Sequence, residues 1–282
     1  MSEQLHGIKK YVEERKKQLA ESIIQLSKKP LLYIIRVGND PASVRYTNNK
    51  MKDAEEVGIE CVLVELPEDI SEGALLETMG ALNRAEKVDG YIVQLPLPKH
   101  ISEEKIKLAI DPNKDVDGFH PLSKTVPATP LGIYNFMLLE GTQFGGDPLR
   151  QWYRGLNAVV IGRSNIVGRP MAKLLLDLDM NVTILHSKTE EADKKLYIKN
   201  ADVIVVATGH RGTLTKNYEF KSSALVFDVG INFDENGKLC GDCDKDLPVD
   251  YQSPVPGGVG LLTRLSVLEN VVKLTKEHLH EN

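Results

Sequence analysis

The sequence predicts an α/β protein with two domains, each built on a parallel sheet. Three observations support this: a length of 282 residues, the alternation of short apolar runs with amphipathic segments, and a change of composition at residues 111–130. That segment is rich in proline and acidic residues and has little apolar periodicity. At roughly 150 residues per domain, the length suggests one large domain or two ordinary ones. Strands alternating with helices are typical of a parallel sheet covered on both faces. The proline-rich segment at 111–130 is interpreted as a functional loop joining two domains.

In the first half, apolar residues recur at helical spacing over residues 5–28, and Pro30 ends the predicted helix. The apolar run 31–38 closes on a glycine and indicates a buried strand. Asp40 precedes a proline and supplies capping chemistry for the next helix. The remaining elements predicted here are a helix ending near Val57, a strand at 61–67, a helix at 71–84 and a strand at 89–98 that breaks into a proline-rich loop.

In the second half, the same alternation resumes after a predicted helix near 131–140. Buried strands are indicated by short runs of valine, isoleucine and leucine. The predicted elements are strands at 156–162, 182–187, 201–209 and 224–232, helices from about 169 and after 187, and a final helix from about Thr263.

Composition excludes several classes of protein. The formal charge of -5 argues against a nucleic-acid binder that works by neutralising phosphates. No apolar run approaches the roughly 20 residues that span a bilayer, and residues 1–18 lack the apolar core of a secretory signal. Three cysteines do not form a disulfide framework, so a reducing cytoplasm is expected. Cys240 and Cys243 form a C-x-x-C pair without a second pair, so no metal site is expected.

The segment 158–170 is typical of a nucleotide-binding turn. A buried strand leads into a turn with Gly162 and Gly168 and then into a helix, which aims backbone N–H groups at a phosphate. Ser164 replaces the middle glycine of the usual pattern, and the last glycine comes one residue late. The segment therefore predicts a Rossmann-like nucleotide-binding domain, although glycines needed only for packing remain an alternative.

The end of the following strand favours NADP over NAD. His186, Ser187 and Lys188 stand about 20 residues past the glycines, where an NAD enzyme usually places an acidic residue on the ribose. The first carboxylate there is Glu190. Arg163 and Ser187 could instead hold a 2′-phosphate, because arginine suits phosphate oxygens. Solvated polar residues at a strand end are the alternative.

Candidate catalytic residues come from three segments. Tyr46 and Lys50 are four residues apart and share one face of a predicted helix. A buried lysine can lose its proton near neutral pH and act in acid–base catalysis, although helix surfaces often carry such pairs. Gln94 follows a strand at its carboxyl end, where open α/β sheets build their sites. Asp115 and Asp117 lie in the joining loop, and either could face the site.

Six ordered segments resemble signature segments of the methylenetetrahydrofolate dehydrogenase/methenyltetrahydrofolate cyclohydrolase family. The resemblance covers roughly residues 30 to 275 and is carried by GNDPASVRYTNNK, DGYIVQLPLP, DPNKDVDGFHP, AVVIGRSNIVGRP, DVGIN and PVPGGVG. It implies an N-terminal folate-binding catalytic domain at 1–127, a Rossmann-like NADP-binding domain at 128–263 and an active-site cleft between them. It also implies that the helix at 264–282 packs back on the first domain.

The resemblance implies two reactions in one site. NADP-dependent oxidation converts 5,10-methylenetetrahydrofolate into 5,10-methenyltetrahydrofolate, and hydrolysis then gives 10-formyltetrahydrofolate. A homodimer formed through the nucleotide domain and a role in one-carbon metabolism and purine biosynthesis are implied as well. Two alternatives are a dehydrogenase with weak or absent cyclohydrolase activity and a non-catalytic NADP-binding module.

The family's functional residues carry over by position. The resemblance implies that Lys50 is the acid–base group of hydrolysis and that Tyr46 packs on the folate. It implies that Gln94 forms a hydrogen bond near Lys50 and tunes its acid–base behaviour, and that Asp117 anchors the pterin. Substrate contacts are also implied for Leu95, Pro96, Pro256, Gly257 and Gly258. Cofactor contacts are implied for Gly162, Arg163, Ser164, Ile166, Val167, Gly168, Ser187 and Ile231.

The sequence departs from the family pattern at four places. The stretch from Gly118 to Pro127 is shorter than in most relatives, which puts the balance of the two activities in doubt. Ala128 stands where several relatives have cysteine, so that thiol is not essential here. Leu261 and Leu262 replace the usual proline and methionine. Residues 141–154, which lead into the predicted strand at 156–162, do not match the family pattern.

Overall fold

The computed structural model describes residues 7–141 and 152–280. The chain divides into two units. The three-stranded unit comprises Glu13–Ala128 and the segment from Arg264 onward, and the five-stranded unit comprises the N-terminal segment through Val12 and Thr129–Thr263. Each unit has a parallel sheet with helices around it, so the predicted α/β class is confirmed. The segment 141–154, singled out by its sequence, lies mostly outside the described residues.

The three-stranded unit has the parallel strand order β2-β1-β3. In its register, Leu32 of β1 pairs with Cys61 on one side and Gly90 on the other. Its elements are α1 Ile8–Ile24, which begins in the other unit, β1 Leu31–Val37, α2 Pro41–Val57, β2 Glu60–Leu66, α3 Glu72–Arg84, β3 Gly90–Val93 and α4 Glu103–Ala109.

Two apolar clusters hold this unit together. Residues of α1, α2 and the C-terminal helix meet in one cluster, which includes Leu19, Ala54 and Val271. Residues of α3 and α4 meet the strands in the other, which includes Met79 and Ile106. Burying an aliphatic side chain of this size stabilises a fold by about 1.5–3 kcal/mol, so both clusters fix the helices on the sheet.

Local signals explain why α2 begins and ends where it does. The side chain of Asp40 accepts a hydrogen bond from the backbone N–H of Ser43, and proline occupies the first turn. Gly58 closes the helix with a φ of 90°, a left-handed conformation that favours glycine. These caps set the helical phase of Tyr46 and Lys50.

The five-stranded unit has the strand order β10-β7-β6-β4-β5, all parallel, and a small antiparallel pair β8-β9. Phe136 is fully buried, and its ring lies 6.2 Å from that of Phe227 and 6.2 Å from that of Tyr251. The elements are α5 Ala128–Gly141, β4 Asn157–Ile161, α6 Gly168–Leu176, β5 Asn181–Leu185, α7 Glu191–Lys199, β6 Val203–Val206, β7 Leu225–Asp228, β8 Asn232–Phe233, β9 Leu239–Cys240, β10 Tyr251–Gln252 and α8 Val259–His280, which continues into the other unit.

Several predicted boundaries are wrong. Helix α1 ends at Ile24, before the predicted end at residue 28. Strand β3 ends at Val93, because the segment that follows it turns at Pro96 and Pro98. Helix α8 begins at Val259, one turn before the predicted Thr263. Sequence reasoning missed four elements altogether: α4, β8, β9 and β10. Within the described residues, no helix is both long and apolar enough to span a membrane.

Candidate active site

Helix α2 and the segment directly after strand β3 bring Lys50 and Gln94 together, and the loop after α4 adds Asp117. The Lys50 Nζ donates a hydrogen bond to Gln94 Oε1 at 3.2 Å and lies 3.8 Å from Asp117 Oδ2. Lys50 is 9% exposed and Asp117 is 8% exposed. The nearly buried ammonium of Lys50 thus has one neutral neighbour, the Gln94 amide, and one anionic neighbour, the Asp117 carboxylate.

The orientation of the Gln94 amide is fixed by a second hydrogen bond. Its Nε2 donates to the carbonyl oxygen of Leu95 at 2.7 Å, which leaves Oε1 to accept from Lys50. The next peptide bond, Leu95–Pro96, is cis. The Leu95 carbonyl thus orients the Gln94 amide, and the side-chain oxygen of Gln94 accepts the hydrogen bond that restrains Lys50 Nζ.

The structure separates the roles of Asp115 and Asp117. Asp115 is fully buried and accepts hydrogen bonds from the backbone N–H groups of Gly118 at 2.9 Å and His120 at 2.7 Å. Burial raises the pKa of the Asp115 carboxyl, and the negative charge of Asp117 adds to the rise. Asp115 holds the loop, whereas Asp117 faces Lys50.

The short loop from Gly118 to Pro127 is closed tightly. Gly118 has a φ of +72°, and a Cβ there would lie 2.5 Å from the Pro127 nitrogen, so only glycine fits. Thr125 Oγ1 donates to the Asp115 carbonyl at 2.6 Å. Asn270 of α8 donates to the carbonyls of Val116 at 2.9 Å and Val126 at 3.2 Å.

The sequence analysis did not identify Thr125 and Asn270 as residues that hold this loop. An asparagine on the apolar face of the last helix was a readable signal, because a buried amide in such a face must find partners. Asn270 is 2% exposed.

Tyr46 lies one helical turn before Lys50 and is half-buried. Burial raises the pKa of the Tyr46 phenol, and the positive charges of Arg45 and Arg264 oppose the rise. On the neighbouring strand, burial raises the pKa of the Cys61 thiol to about 11, and the charge of Lys50 opposes it. Cys61 is therefore protonated and inert near neutral pH.

Two positions in the predicted nucleotide turn have room only for glycine. A Cβ on Gly162 would lie 2.2 Å from the Ala207 carbonyl oxygen, and one on Gly168 would lie 2.2 Å from the Gly162 carbonyl oxygen. The glycines thus let β4, the turn and α6 approach closely, as a phosphate cradle requires. Ser164 Oγ accepts from the backbone N–H groups of Val167 at 3.1 Å and Gly168 at 3.3 Å, so it holds the turn itself.

The polar residues predicted to select NADP lie exposed at the ends of two adjacent strands. Arg163 follows β4, and Ser187 and Lys188 follow β5. The first carboxylate after β5 is Glu190, which stands at the N-cap position of α7 without a side-chain capping hydrogen bond. Ile166 and Val167 form the turn before α6, and Ile231, 54% exposed, follows β7.

Comparison with known proteins decides the family. The family model described as tetrahydrofolate dehydrogenase/cyclohydrolase, catalytic domain, matches residues 6–117, and the model for the NAD(P)-binding domain of the same enzymes matches residues 127–279. The chain belongs to the tetrahydrofolate dehydrogenase/cyclohydrolase family. The resemblance inferred from the sequence motifs is thereby confirmed.

Relatives and solved structures agree with this assignment. The chain is 43% identical to the bifunctional protein FolD of Listeria innocua, with 98% of each chain covered. The bifunctional FolD structure from Campylobacter jejuni gives a TM-score of 0.86 at 38% identity and covers 96% of this chain and 97% of that one. The Trypanosoma brucei enzyme, solved with NADP cofactor and inhibitor, gives 0.87 at 29% identity and covers 97% of each.

In this family member, Asp228 of the DVGIN segment binds backbone N–H groups of its own segment and of residues 242 and 243. Asp228 Oδ1 accepts from the N–H groups of Gly230 and Asp242, and Oδ2 accepts from that of Cys243, each at 2.9 Å. A Cβ on Gly241 would lie 1.9 Å from the same carboxylate. Burial strongly raises the pKa of the Cys243 thiol, which makes this half of the C-x-x-C pair a structural residue.

The predicted substrate loop at 256–258 lies in the five-stranded unit. The Val255–Pro256 peptide is cis, and Gly257 has a φ of +96°. A Cβ on Gly258 would lie 2.2 Å from the Pro254 carbonyl oxygen. The glycines allow this tight turn, while folate contacts by Leu95, Pro96 and residues 256–258 stay predictions.

Proposed function

We propose that the chain catalyses two consecutive reactions at one site built around Lys50. NADP-dependent oxidation of 5,10-methylenetetrahydrofolate gives 5,10-methenyltetrahydrofolate, whose hydrolysis gives 10-formyltetrahydrofolate. The observation that carries the proposal is the nearly buried Lys50 ammonium between the Gln94 amide and the Asp117 carboxylate. The bifunctional relatives, matched over nearly the whole chain, support it.

Each of these side chains has a separate task. Oxidation needs hydride donor and acceptor held in one orientation, and hydrolysis needs a proton moved between water and the folate nitrogen. Lys50 holds and transfers that proton at Nζ, while Gln94 Oε1 keeps Nζ in place between transfers. Asp117 accepts the N–H donors of the pterin edge, and Tyr46 packs its ring on the flat pterin face.

NADP suits the five-stranded unit. The cradle closed by Gly162 and Gly168 admits a diphosphate, and Arg163, with Ser187 beyond β5, supplies donors for the 2′-phosphate. When bound, NADP accepts the hydride from the substrate. Because Ser164 already caps the Val167 and Gly168 N–H groups, we assign much of the phosphate affinity to side chains and the remaining turn amides.

We further propose the assignments of domain, assembly and compartment that the sequence predicts. Residues 1–127 and the helix at 264–282 are assigned to the catalytic domain and residues 128–263 to the NADP domain, with the difference that the segment through Val12 groups with the five-stranded unit. Two copies pair through the NADP domain, where edge strand β5 exposes Ile184 and helix α7 exposes Leu196 and Tyr197. The three cysteines are free, which suits the reducing cytoplasm.

Replacing Lys50 by methionine tests this proposal. Lys50→Met keeps the length of the side chain and removes the proton carrier, so methenyltetrahydrofolate hydrolysis should fall at least about 100-fold. The assay follows NADPH formation and methenyl absorbance from methylenetetrahydrofolate and NADP. Lys52→Met, an exposed change on the same helix, is the matched control and should hydrolyse at the wild-type rate.

Three outcomes would contradict parts of the proposal. Hydrolysis at the wild-type rate in Lys50→Met would remove Lys50 from the chemistry. Methenyl absorbance that persists with wild-type protein would indicate a dehydrogenase with little cyclohydrolase activity. Tight NADP binding without NADPH formation would indicate a non-catalytic module.

A further inference from the structure

A fully buried carboxylate, that of Asp242, joins two loops at the carboxyl edge of the five-stranded sheet. Its Oδ2 accepts hydrogen bonds from the Thr208 N–H at 2.7 Å, the Thr208 hydroxyl at 2.9 Å and the Gly209 N–H at 2.9 Å. Its Oδ1 accepts from Asn232 Nδ2 at 2.8 Å. Residues 207–209 follow β6 and form the β6 loop, and residues 229–232 follow β7 and form the β7 loop. One side chain therefore ties together the ends of two neighbouring strands.

The β6 loop borders the predicted phosphate cradle. In the strand order β10-β7-β6-β4-β5, the chain leaves β4 for β5 on one side and then returns to β6 on the other. Open α/β sheets bind ligands at such a change of direction, outside the carboxyl ends of the strands. A Cβ on Gly162, in the turn after β4, would lie 2.2 Å from the Ala207 carbonyl oxygen of the β6 loop. The cradle and the β6 loop therefore lie against each other, and the β7 loop follows the next strand along the sheet.

Ile231 stands in the β7 loop as an exposed apolar residue between two restrained neighbours. Before it, Gly230 packs so closely that a Cβ there would lie 2.2 Å from Asp242 Oδ1. After it, Asn232 Nδ2 donates to the same oxygen and, at 3.1 Å, to the Gly241 carbonyl. Ile231 itself is 54% exposed. Asp242 thus fixes the backbone on both sides of a large apolar side chain that the unit leaves open to solvent.

The strands around this carboxylate are already paired without it. Strands β6 and β7 pair from Val203 with Leu225 to Val206 with Asp228, and the hairpin β8-β9 pairs Asn232 with Cys240. Burying a carboxylate is costly unless hydrogen bonds replace the lost water, so it is an expensive way to add stability alone. What the carboxylate adds is a fixed position for the β7 loop relative to the cradle.

We propose that Asp242 is a positioning residue for the nicotinamide end of NADP. It binds the β6 and β7 loops together, so that Ile231 keeps one place beyond the phosphate cradle and stays available to the nicotinamide ring. A loop held in its binding conformation loses less freedom when the cofactor binds, which raises affinity. This inference rests on the proposed NADP-dependent oxidation and on the predicted cofactor contact of Ile231. It adds a buried residue that does not touch the cofactor to those that determine cofactor binding.

The test compares Asp242→Asn, Ile231→Ala and Asp202→Asn in the full-length protein. In Asp242→Asn, an NH₂ group faces an N–H donor whichever way the amide turns, so the two loops loosen. Asp202 is the matched control, because it is a carboxylate at the opposite end of β6. Its Oδ2 accepts from the Asn157 N–H at 2.8 Å and its Oδ1 from Lys221 Nζ at 2.7 Å. Steady-state kinetics, calorimetry and thermal unfolding are measured for each variant.

Asp242→Asn should raise the KM for NADP about tenfold and lower kcat for NADPH formation, because hydride transfer needs an oriented nicotinamide. Two quantities should stay within about twofold of wild type. One is the rate at which supplied methenyltetrahydrofolate is hydrolysed, which needs no hydride acceptor. The other is the affinity for 2′-phospho-ADP-ribose, which is NADP without its nicotinamide. Asp202→Asn should lower Tm and leave the KM for NADP within about twofold. Should Asp242→Asn not fold, Asn232→Ala removes the donor to Oδ1 and should raise the same KM.

Ile231→Ala separates failure of the positioning role from failure of the contact it serves. A raised KM for NADP in Ile231→Ala, with wild-type values in Asp242→Asn and Asn232→Ala, would overturn the positioning role alone. Wild-type kinetics in Ile231→Ala would overturn both. Equal losses of affinity for NADP and 2′-phospho-ADP-ribose in Asp242→Asn would reduce Asp242 to a structural role. This last comparison uses binding alone, so it still decides the role of Asp242 if the wild type forms no NADPH, a result that would refute the proposed function instead.

Discussion

Two carboxylates only two residues apart have different partners in this chain. Asp115 is enclosed by backbone donors, and each of its oxygens accepts an N–H group. Asp117 instead contacts an ammonium that belongs to the candidate site. Because one side chain fixes the loop and the other faces Lys50, the same substitution should affect stability at one position and substrate binding at the other.

Asparagine at each position tests this separation. Asp115→Asn places an NH₂ group against a backbone N–H and should cost about 1–3 kcal/mol of unfolding free energy. Asp117→Asn should keep most of the stability and raise the KM for methylenetetrahydrofolate. Denaturant unfolding and steady-state kinetics measure the two effects. A large loss of stability at Asp117 and none at Asp115 would reverse the assignment.

We predict that one exposed arginine, Arg163, determines the choice of cofactor. If Arg163 binds the 2′-phosphate, Arg163→Ala should weaken NADP at least about tenfold while changing NAD affinity little, because NAD lacks that phosphate. Arg154→Ala, which removes an exposed arginine just before β4, is the control and should change neither affinity. Equal losses for NADP and NAD, measured by calorimetry, would contradict recognition of the 2′-phosphate.

At the scale of the element, Glu72 ties the start of α3 to the start of α4. Its Oε2 accepts from the Ser102 N–H and its Oε1 from Lys105 Nζ, both at 2.8 Å. The hydrogen bond from Lys105 and then that from Ser102 lower the pKa of the Glu72 carboxyl below 4.5. A lowered folded-state pKa means that the stabilisation is present above the unfolded value and is lost as pH falls through the folded value.

Glu72→Gln should therefore have a lower Tm than wild type near neutral pH. The difference should shrink as pH falls below 4.5, because the wild-type carboxylate then takes up a proton. Glu77→Gln, on an exposed position of the same helix, should change Tm little throughout. Thermal unfolding followed by circular dichroism checks this, and a Tm difference independent of pH would refute the role of the carboxylate.

Sequence patterns predicted the long elements and part of the site. The caps at Asp40 and Gly58 and the four-residue spacing of Tyr46 and Lys50 are local, so α2 and the face that these two residues share could be predicted without a structure. Helix α4 also had a readable signal, since Ser102 caps a turn with two glutamates, but it is only seven residues long.

What could not be predicted depends on distant parts of the chain. Strand β10 has two residues and forms only against β7. Asp53 and Arg264 look like ordinary helix-surface charges until α2 and α8 pack together. The choice between Asp115 and Asp117 needed the backbone that closes the loop, because neither spacing nor residue type distinguishes them.

At the scale of the whole molecule, the sheet edges differ in how they are protected. Edge strand β10 is only two residues long, and edge strand β2 carries Glu60 and Glu65, both of which discourage pairing with another chain. Edge strand β5, with the sequence NVTIL, has neither a charge nor a proline. Edge strand β3 also lacks a charge and a proline, but its four residues are buried and Tyr91 forms a bridge with Asp115. Among the edge strands that the structure describes, β5 is therefore the one best suited to meet a second copy of the chain.

A charge on this edge tests the proposed homodimer. Ile184 is 37% exposed, and Ile184→Lys would place an ammonium in the pairing surface, where burial without a partner is costly. The variant should sediment as a monomer under conditions in which the wild type is dimeric. Ile24→Lys, at an 82% exposed position of α1 in the three-stranded unit, should leave the wild-type mass unchanged. If Ile184→Lys kept the wild-type mass and Ile24→Lys dissociated, the interface would belong to the other unit.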